Sequence, residues 1–240
     1  AAGKEDSLYL HSVMPMFAEA LRSGNRTAAS AISASIVEYQ QRFAGYDLPP
    51  VRRINAEILY YKLMIFERLF PYYATIGIIM LVSLLIMVIG GIRTDTFILK
   101  ALKWLLLAGF ILHTFGIGLR WYVSGHSPMS NGYESMIFIS WVTLFAGFIF
   151  SRKSDFTLSA TAVLASMTLM VAHLSFMDPE ITNLVPVLKS YWLTLHVSVI
   201  TGSYGFLGLG AILGIINLIL VALSGERNRE RISATVDELT

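Results

Sequence analysis

The spacing of apolar residues changes character near residue 70. Before that point they recur at helical intervals among charged residues: Val13, Phe17 and Leu21, then Ile32, Ile36 and Tyr39, then Ile54, Ile58 and Leu63. Ser23-Gly24-Asn25 and the stretch from Gly45 to Pro50 are turn chemistry between these groups, so the pattern predicts three amphipathic helices. Beyond residue 70 the period disappears into long apolar runs at 71–92, 101–123, 134–150, 156–176 and 191–223. Each is long enough, or nearly so, to cross a hydrocarbon core of about 30 Å as a helix. The run at 134–150 is the shortest and fits a tilted or partly recessed helix. The expected fold is all-α: a polytopic bundle of five spans over 71–223, preceded by a small helical region over 1–70 and followed by a polar segment over 224–240 that reads as a loop or the start of another helix.

Cations in the short connections give an orientation. Arg93, Lys100 and Lys103 follow the first span, Arg152 and Lys153 the third, and Arg227, Arg229 and Arg231 the fifth. These segments, including 224–240, are expected in the cytoplasm. The connections 124–133 and 177–190 carry Lys189 as their one cation, so they and the N-terminal region are expected outside. An exported N-terminal region calls for an upstream signal, and residues 1–70 contain neither a signal peptide nor an apolar span; the expectation is a chain that continues upstream.

Composition supports the bilayer and removes other classes. Apolar residues make up 55% of the chain, charged residues 14%, and mean hydropathy is +0.63, which a fully hydrated globular surface does not tolerate. A net charge of +2 from scattered cations offers no nucleic-acid groove. Cysteine is absent, so this chain supplies no thiolate ligand and any thiol chemistry belongs to a partner. No phosphate-binding loop, dinucleotide fingerprint, zincin motif or nucleophile elbow occurs.

Histidine is the main chemical clue. His113, His126, His173 and His196 fall in the outer half of the layer or in the outer connections under this topology. Neutral imidazole ligates haem iron axially, and an ionisable side chain within a span invites a functional reading. Each position also has a plainer account. His196, one turn beyond Trp192, fits an iron ligand or the polar and aromatic belt of the interface. His173 fits the belt better. His113 fits a ligand or an interhelical hydrogen bond, and His126 a solvated loop. Within the loop 121–135, Asn131 and Glu134 have capping-box spacing, an account that stands beside a catalytic carboxylate. Gly202, Gly208, Gly210 and Gly214 with Ser198 read as small-residue helix packing.

Gly125-His126-x-Pro128-x-Ser130-Asn131-x-Tyr133-Glu134-Ser135, followed by Trp141, resembles the signature loop of the CcsA family. Trp192-Leu193-Thr194-Leu195-His196-Val197-Ser198, with Tyr204 beyond it, resembles a second region of that family, and the segment around Asn55-Ala56-Glu57-Ile58-Leu59-Tyr60 is similar to the junction of fused CcsBA proteins. The resemblance implies a system II cytochrome c synthase, or haem lyase, in the bacterial cytoplasmic membrane. Such an enzyme carries haem b to the outer face, keeps it reduced and joins its vinyl groups to the Cys-x-x-Cys-His motif of apocytochrome c. His196 matches the first of two external histidines that bind haem axially. Trp192, Trp121 and, more weakly, His113 are then candidates to contact it.

The departures are specific. The family's Trp-rich haem-handling motif, the second external histidine and the paired intramembrane histidines are missing. The expectation is one part of a synthase, not competent alone, whose partners are haem, apocytochrome c, the lipid bilayer and the remainder of the synthase: a CcsB-like part and the Trp-rich domain. Two other classes stay open. A membrane electron-transfer cytochrome would pair His113 with His173 or His196 across the bundle. A transporter or structural subunit would open onto a polar midplane cavity.

Overall fold

A computed structural model describes residues 4–44, 49–92, 96–151, 154–174, 177–181, 190–222 and 229–239. The described secondary structure is entirely helical: α1 (Lys4–Arg22), α2 (Arg26–Ala44), α3 (Val51–Leu63), α4 (Ile65–Gly90), α5 (Phe97–Ser124), α6 (Gly132–Phe150), α7 (Asp155–Ala172), α8 (Tyr191–Ala222) and α9 (Arg229–Leu239). Several features expected from sequence lie outside the described residues: the centre of the second turn at 45–48, the end of the fourth span at 175–176, and Arg93, Arg152, Lys153, Lys189 and Arg227.

Residues 1–52 form one compact unit and residues 53–240 a second. In the first, α1 and α2 are joined by a tight turn. Gly24 takes a positive φ of 69°, which a residue without Cβ adopts freely, and Asn25 caps α2 by accepting from Ala28 N at 3.0 Å. Tyr9 then stacks on Tyr39 at 4.8 Å and hydrogen-bonds Ser35 at 3.0 Å. Val13, Ala20 and Ala29 are buried, whereas Leu21 is exposed.

In the second unit five helical stretches among the described residues are long and apolar enough to cross a membrane. Each overlaps one of the five predicted runs, although the first, Val51–Gly90, begins twenty residues before the predicted 71–92, and the third is an uninterrupted helix of 19 residues. α7 is the hub, packed against α4, α6 and α8. Its sequence explains why: Ser159, Ala160, Thr161, Ala162, Ala165 and Ser166 are buried, and small side chains let neighbouring backbones come close where lipid supplies no hydrophobic drive between helices. A Cβ on Gly77 would meet Ala162 and Val163 at 3.0 Å, and one on Gly147 would meet Thr161. The hydroxyls are absorbed locally, as when Thr161 Oγ1 donates to Leu158 O at 2.9 Å.

The structure redraws two sequence expectations and decides a third. Of the α8 glycines assigned to packing, a Cβ on Gly202 or Gly208 would meet Val142 or Leu164, but Gly210 and Gly214 face open space, and the least room for a Cβ is at Gly205, against Thr143. On α3 Ile54 and Ile58 of the predicted apolar set are exposed, while Leu63 packs against the core and Tyr60 is buried, so only the end of this helix nearest α4 is held by apolar contact. Finally, of the two readings of the polar segment after α8, a loop or another helix, the described residues show a helix, α9, whose Ile232 is buried in the core.

The connections gather at two ends. Lys103 pairs with Asp155 at 2.6 Å near the starts of α5 and α7. At the other end α5 and α6 are joined by residues 125–131, and Asn131 reaches the α7–α8 connection through Asp178 O at 3.3 Å.

Candidate functional site

The site is built at the end that carries residues 125–131. α5 stops where Gly125 adopts a left-handed φ of 72° and its N–H closes on Trp121 O at 2.9 Å. Arg53 Nε donates to Val123 O at 2.6 Å, satisfying one of the carbonyls left over at a helix end. Ser124 Oγ then donates to His126 O at 2.8 Å, and His126 Nδ1 lies 3.0 Å from Ser127 O. Asn131 starts α6 by accepting from Glu134 N at 2.9 Å.

Glu134 does more than cap. In a capping box it would reach the N–H of Asn131; instead Oε2 accepts from Ser130 N at 2.6 Å and Ser130 Oγ at 2.7 Å. Oε1 accepts from Arg120 Nε at 2.7 Å. Both side chains of this ion pair are 1% exposed. Arg120 further donates from Nη1 to Tyr60 OH at 2.9 Å and Pro179 O at 2.8 Å, and from Nη2 to Glu180 O at 3.2 Å. Its guanidinium also lies over the rings of Tyr133 (5.1 Å) and Tyr60 (5.7 Å). One arginine therefore ties together α3, α5, the 125–131 loop, the start of α6 and the α7–α8 connection. Breaking a buried pair from one side typically costs about 3–5 kcal/mol, because the partner is left charged and unpaired.

Residue spacing puts Arg120 there. Leu102, Leu106, Gly109, His113, Gly116 and Arg120 form the buried stripe of α5, recurring every three or four residues. His113 is thus aimed at α4: its Nδ1 lies 3.4 Å from Tyr73 OH and its ring meets Phe66 edge-on at 5.4 Å. Its Nε2 is buried and makes no hydrogen bond.

A second face of α5, with Thr114, Gly118 and Trp121, borders a cavity of about 430 Å³, within the range of small-molecule and cofactor sites. Ile117 of the same helix, Ser127, Pro128 and Met129 of the loop, Phe138 and Trp141 of α6, and Tyr191, Thr194, Leu195 and Ser198 of α8 complete it. Trp141 stacks between Phe110 and Phe145 at 5.6 and 5.5 Å and donates to Thr114 Oγ1 at 2.9 Å, so the wall is largely aromatic and apolar. The polar midplane cavity of a transporter is not what these residues enclose.

The four histidines are dispersed. His196 is exposed, with Trp192 one turn before it at 75% exposure, on a face of α8 different from the one lining the cavity. His173 caps α7 and is exposed. His126 belongs to the loop and His113 to the α4–α5 contact. Trp121 does border the cavity. Of the loop residues, Pro128, Tyr133 and Glu134 are buried and Gly125 exposed. Arg120, the centre of this hydrogen-bonded cluster, is the residue that the sequence reading left out, although a cation inside an apolar span near a motif loop is a signal in itself.

Part of this geometry, from Met129 onward, falls within a stretch that is similar to a known family. A family model described as "Cytochrome C assembly protein" matches residues 129–238, from Met129 of the loop through α9. Protein NrfI of Wolinella succinogenes is 47% identical over 188 residues, 77% of this chain and 20% of that protein. Proteins named "Cytochrome c biogenesis protein CcsA" from Prochlorococcus marinus and Guillardia theta are 38% and 36% identical over 113 residues, 45% of this chain and 36% and 37% of theirs. This chain belongs to the CcsA family of cytochrome c biogenesis proteins. It spans a fifth of the length of NrfI and rather more than a third of the two CcsA proteins. The 188 residues aligned with NrfI are more than the family model matches, so the similarity to NrfI extends beyond the stretch that model covers.

Proposed function

We propose that this chain is part of a membrane cytochrome c synthase of the bacterial cytoplasmic membrane, with its 125–131 loop outside and residues 224–240 inside, and that it presents haem b to apocytochrome c. The observation that carries the reading is the exposed pair Trp192 and His196, one turn apart on α8 beside the family's loop. An imidazole at a surface can ligate an iron whose second axial ligand comes from elsewhere, here the remainder of the synthase. Trp192 offers a flat apolar face to a porphyrin edge. The reaction adds each thiol of the apocytochrome Cys-x-x-Cys-His motif across a haem vinyl group: sulfur bonds to one vinyl carbon, the thiol hydrogen ends on the other, and no net oxidation occurs. With no cysteine of its own, this chain does not compete for the vinyl groups. Its residues hold and orient haem.

The test is haem content and the reduced-state spectrum of the full-length parent in detergent, wild type against His196→Gly, with and without imidazole. Loss of the low-spin spectrum, restored by imidazole filling the vacated position, is expected. An unchanged spectrum removes His196 from the iron, and a parent that never carries haem removes the synthase reading.

A further inference from the structure

The 125–131 loop is the most distinctive stretch of the chain, and its carboxylate invites a role as acid or base. The surroundings of Glu134 argue otherwise. Both oxygens are engaged, Oε1 by Arg120 and Oε2 twice by Ser130, and the residue is 2% exposed. A general acid or base must come within hydrogen-bond reach of a reacting atom, and here protein donors occupy that reach.

We propose that Arg120 is a positioning residue: with Glu134 it locks the 125–131 loop to the connection that leads into α8, and thereby sets where His196 meets haem. This rests on the reading of His196 as a haem ligand. On one side of the lock, Arg120 holds Pro179 O and Glu180 O, Asn131 holds Asp178 O, and a Cβ on Gly132 would sit 3.1 Å from Met177 Sδ, so residues 177–180 are seated on the start of α6. On the other side, Ser198 Oγ meets Met129 Sδ at 3.0 Å, and Pro128 and Met129 share the cavity wall with Thr194 and Leu195. α8 is thus braced against the loop within one turn of His196. Only a planar, forked cation serves four acceptors at once; an ammonium on a flexible stem does not reproduce this geometry. Groups that orient a metal ligand typically cost about 10–100-fold in affinity or activity when removed.

The experiment uses the full-length parent with Arg120→Lys, Arg120→Gln, Glu134→Gln and the double Arg120→Gln/Glu134→Gln variant. Three quantities are read: haem content and low-spin spectrum with and without imidazole, haem attachment to an apocytochrome, and bridging of Gly132→Cys to Met177→Cys by a short bis-maleimide, against each single-cysteine control. In the single variants, bridging is expected to fall and low-spin haem to drop about tenfold, with attachment falling in parallel. Imidazole is expected to restore the spectrum, which it would not do for an unfolded protein. Arg120→Lys is expected to behave like Arg120→Gln, and the double variant to recover part of the loss because no charge is left unpaired. Should an Arg120 variant fail to accumulate, Ser130→Ala, which removes one bond to Glu134 and keeps the ion pair, is expected to shift all three readouts in the same direction. Normal bridging and spectrum with lost attachment would overturn the proposal by making the pair a participant in the reaction. Lost bridging with normal haem and attachment would overturn it by uncoupling the lock from His196. A wild-type parent without haem defeats the synthase reading instead, while the bridging assay still reports whether Arg120 seats the connection.

Discussion

Arg120 Nη1 and the Tyr60 hydroxyl lie 2.9 Å apart although 60 residues separate them in sequence. That bond fastens α3 to the bundle four residues before the chain bends at Met64, and it does so with α3's exposed aliphatic residues contributing little. Tyr60→Phe keeps the ring beneath the guanidinium and removes the acceptor, leaving one buried N–H without its partner. A loss of about 1–3 kcal/mol is expected, read as a lower unfolding midpoint in detergent. An unchanged midpoint would mean that Pro179 O alone satisfies Nη1.

Met64 separates α3 from α4 with φ 45° and ψ 47°, a left-handed conformation that costs an ordinary residue about 1–2 kcal/mol. Met64→Val, with its branched Cβ, should lower stability by about a further 1 kcal/mol or more. Met64→Gly relieves the local strain but gains freedom in the unfolded chain, so its midpoint should match or slightly exceed wild type. Thermal unfolding of the two variants side by side checks the sign. If valine is tolerated as well as glycine, the bend is not left-handed.

Gly147 is where α6 rests on α7, with a Cβ there running into the Thr161 side chain. Gly147→Ala should cost about 1–3 kcal/mol through overpacking. Thr161→Ala, made alone, removes a buried hydroxyl that is already satisfied within its own helix and should cost less. Combined, the two should be non-additive, the second relieving the first. Additive losses would show that the two side chains do not share the space.

His113→Leu tests the electron-transfer alternative. The ring sits between Phe66 and Tyr73 with one long contact and an unpartnered Nε2, so leucine should fill the site with stability unchanged within about 1 kcal/mol. Haem content and spectrum of the parent should also be unchanged. A lost low-spin spectrum would place His113 among the iron ligands.

The sequence by itself determined the five spans and their order, because a bilayer admits a backbone only when every polar group is bonded within the helix, and about twenty apolar residues are the visible result. It also determined the end of α5 and the start of α6: Gly125 and Asn131 act through neighbours a few residues away. The buried stripe from Leu102 to Arg120 was present in the spacing as well, though its meaning was not. What only the tertiary structure decided is the use made of polar side chains whose partners are distant in sequence. Glu134 reads as a cap until Arg120 is seen beside it, and Arg120 acquires its acceptors from Tyr60, Pro179 and Glu180. The cavity likewise needed three helices and the loop to close around it. Local rules govern helices, whereas a buried charge is stable only where several remote segments converge to satisfy it.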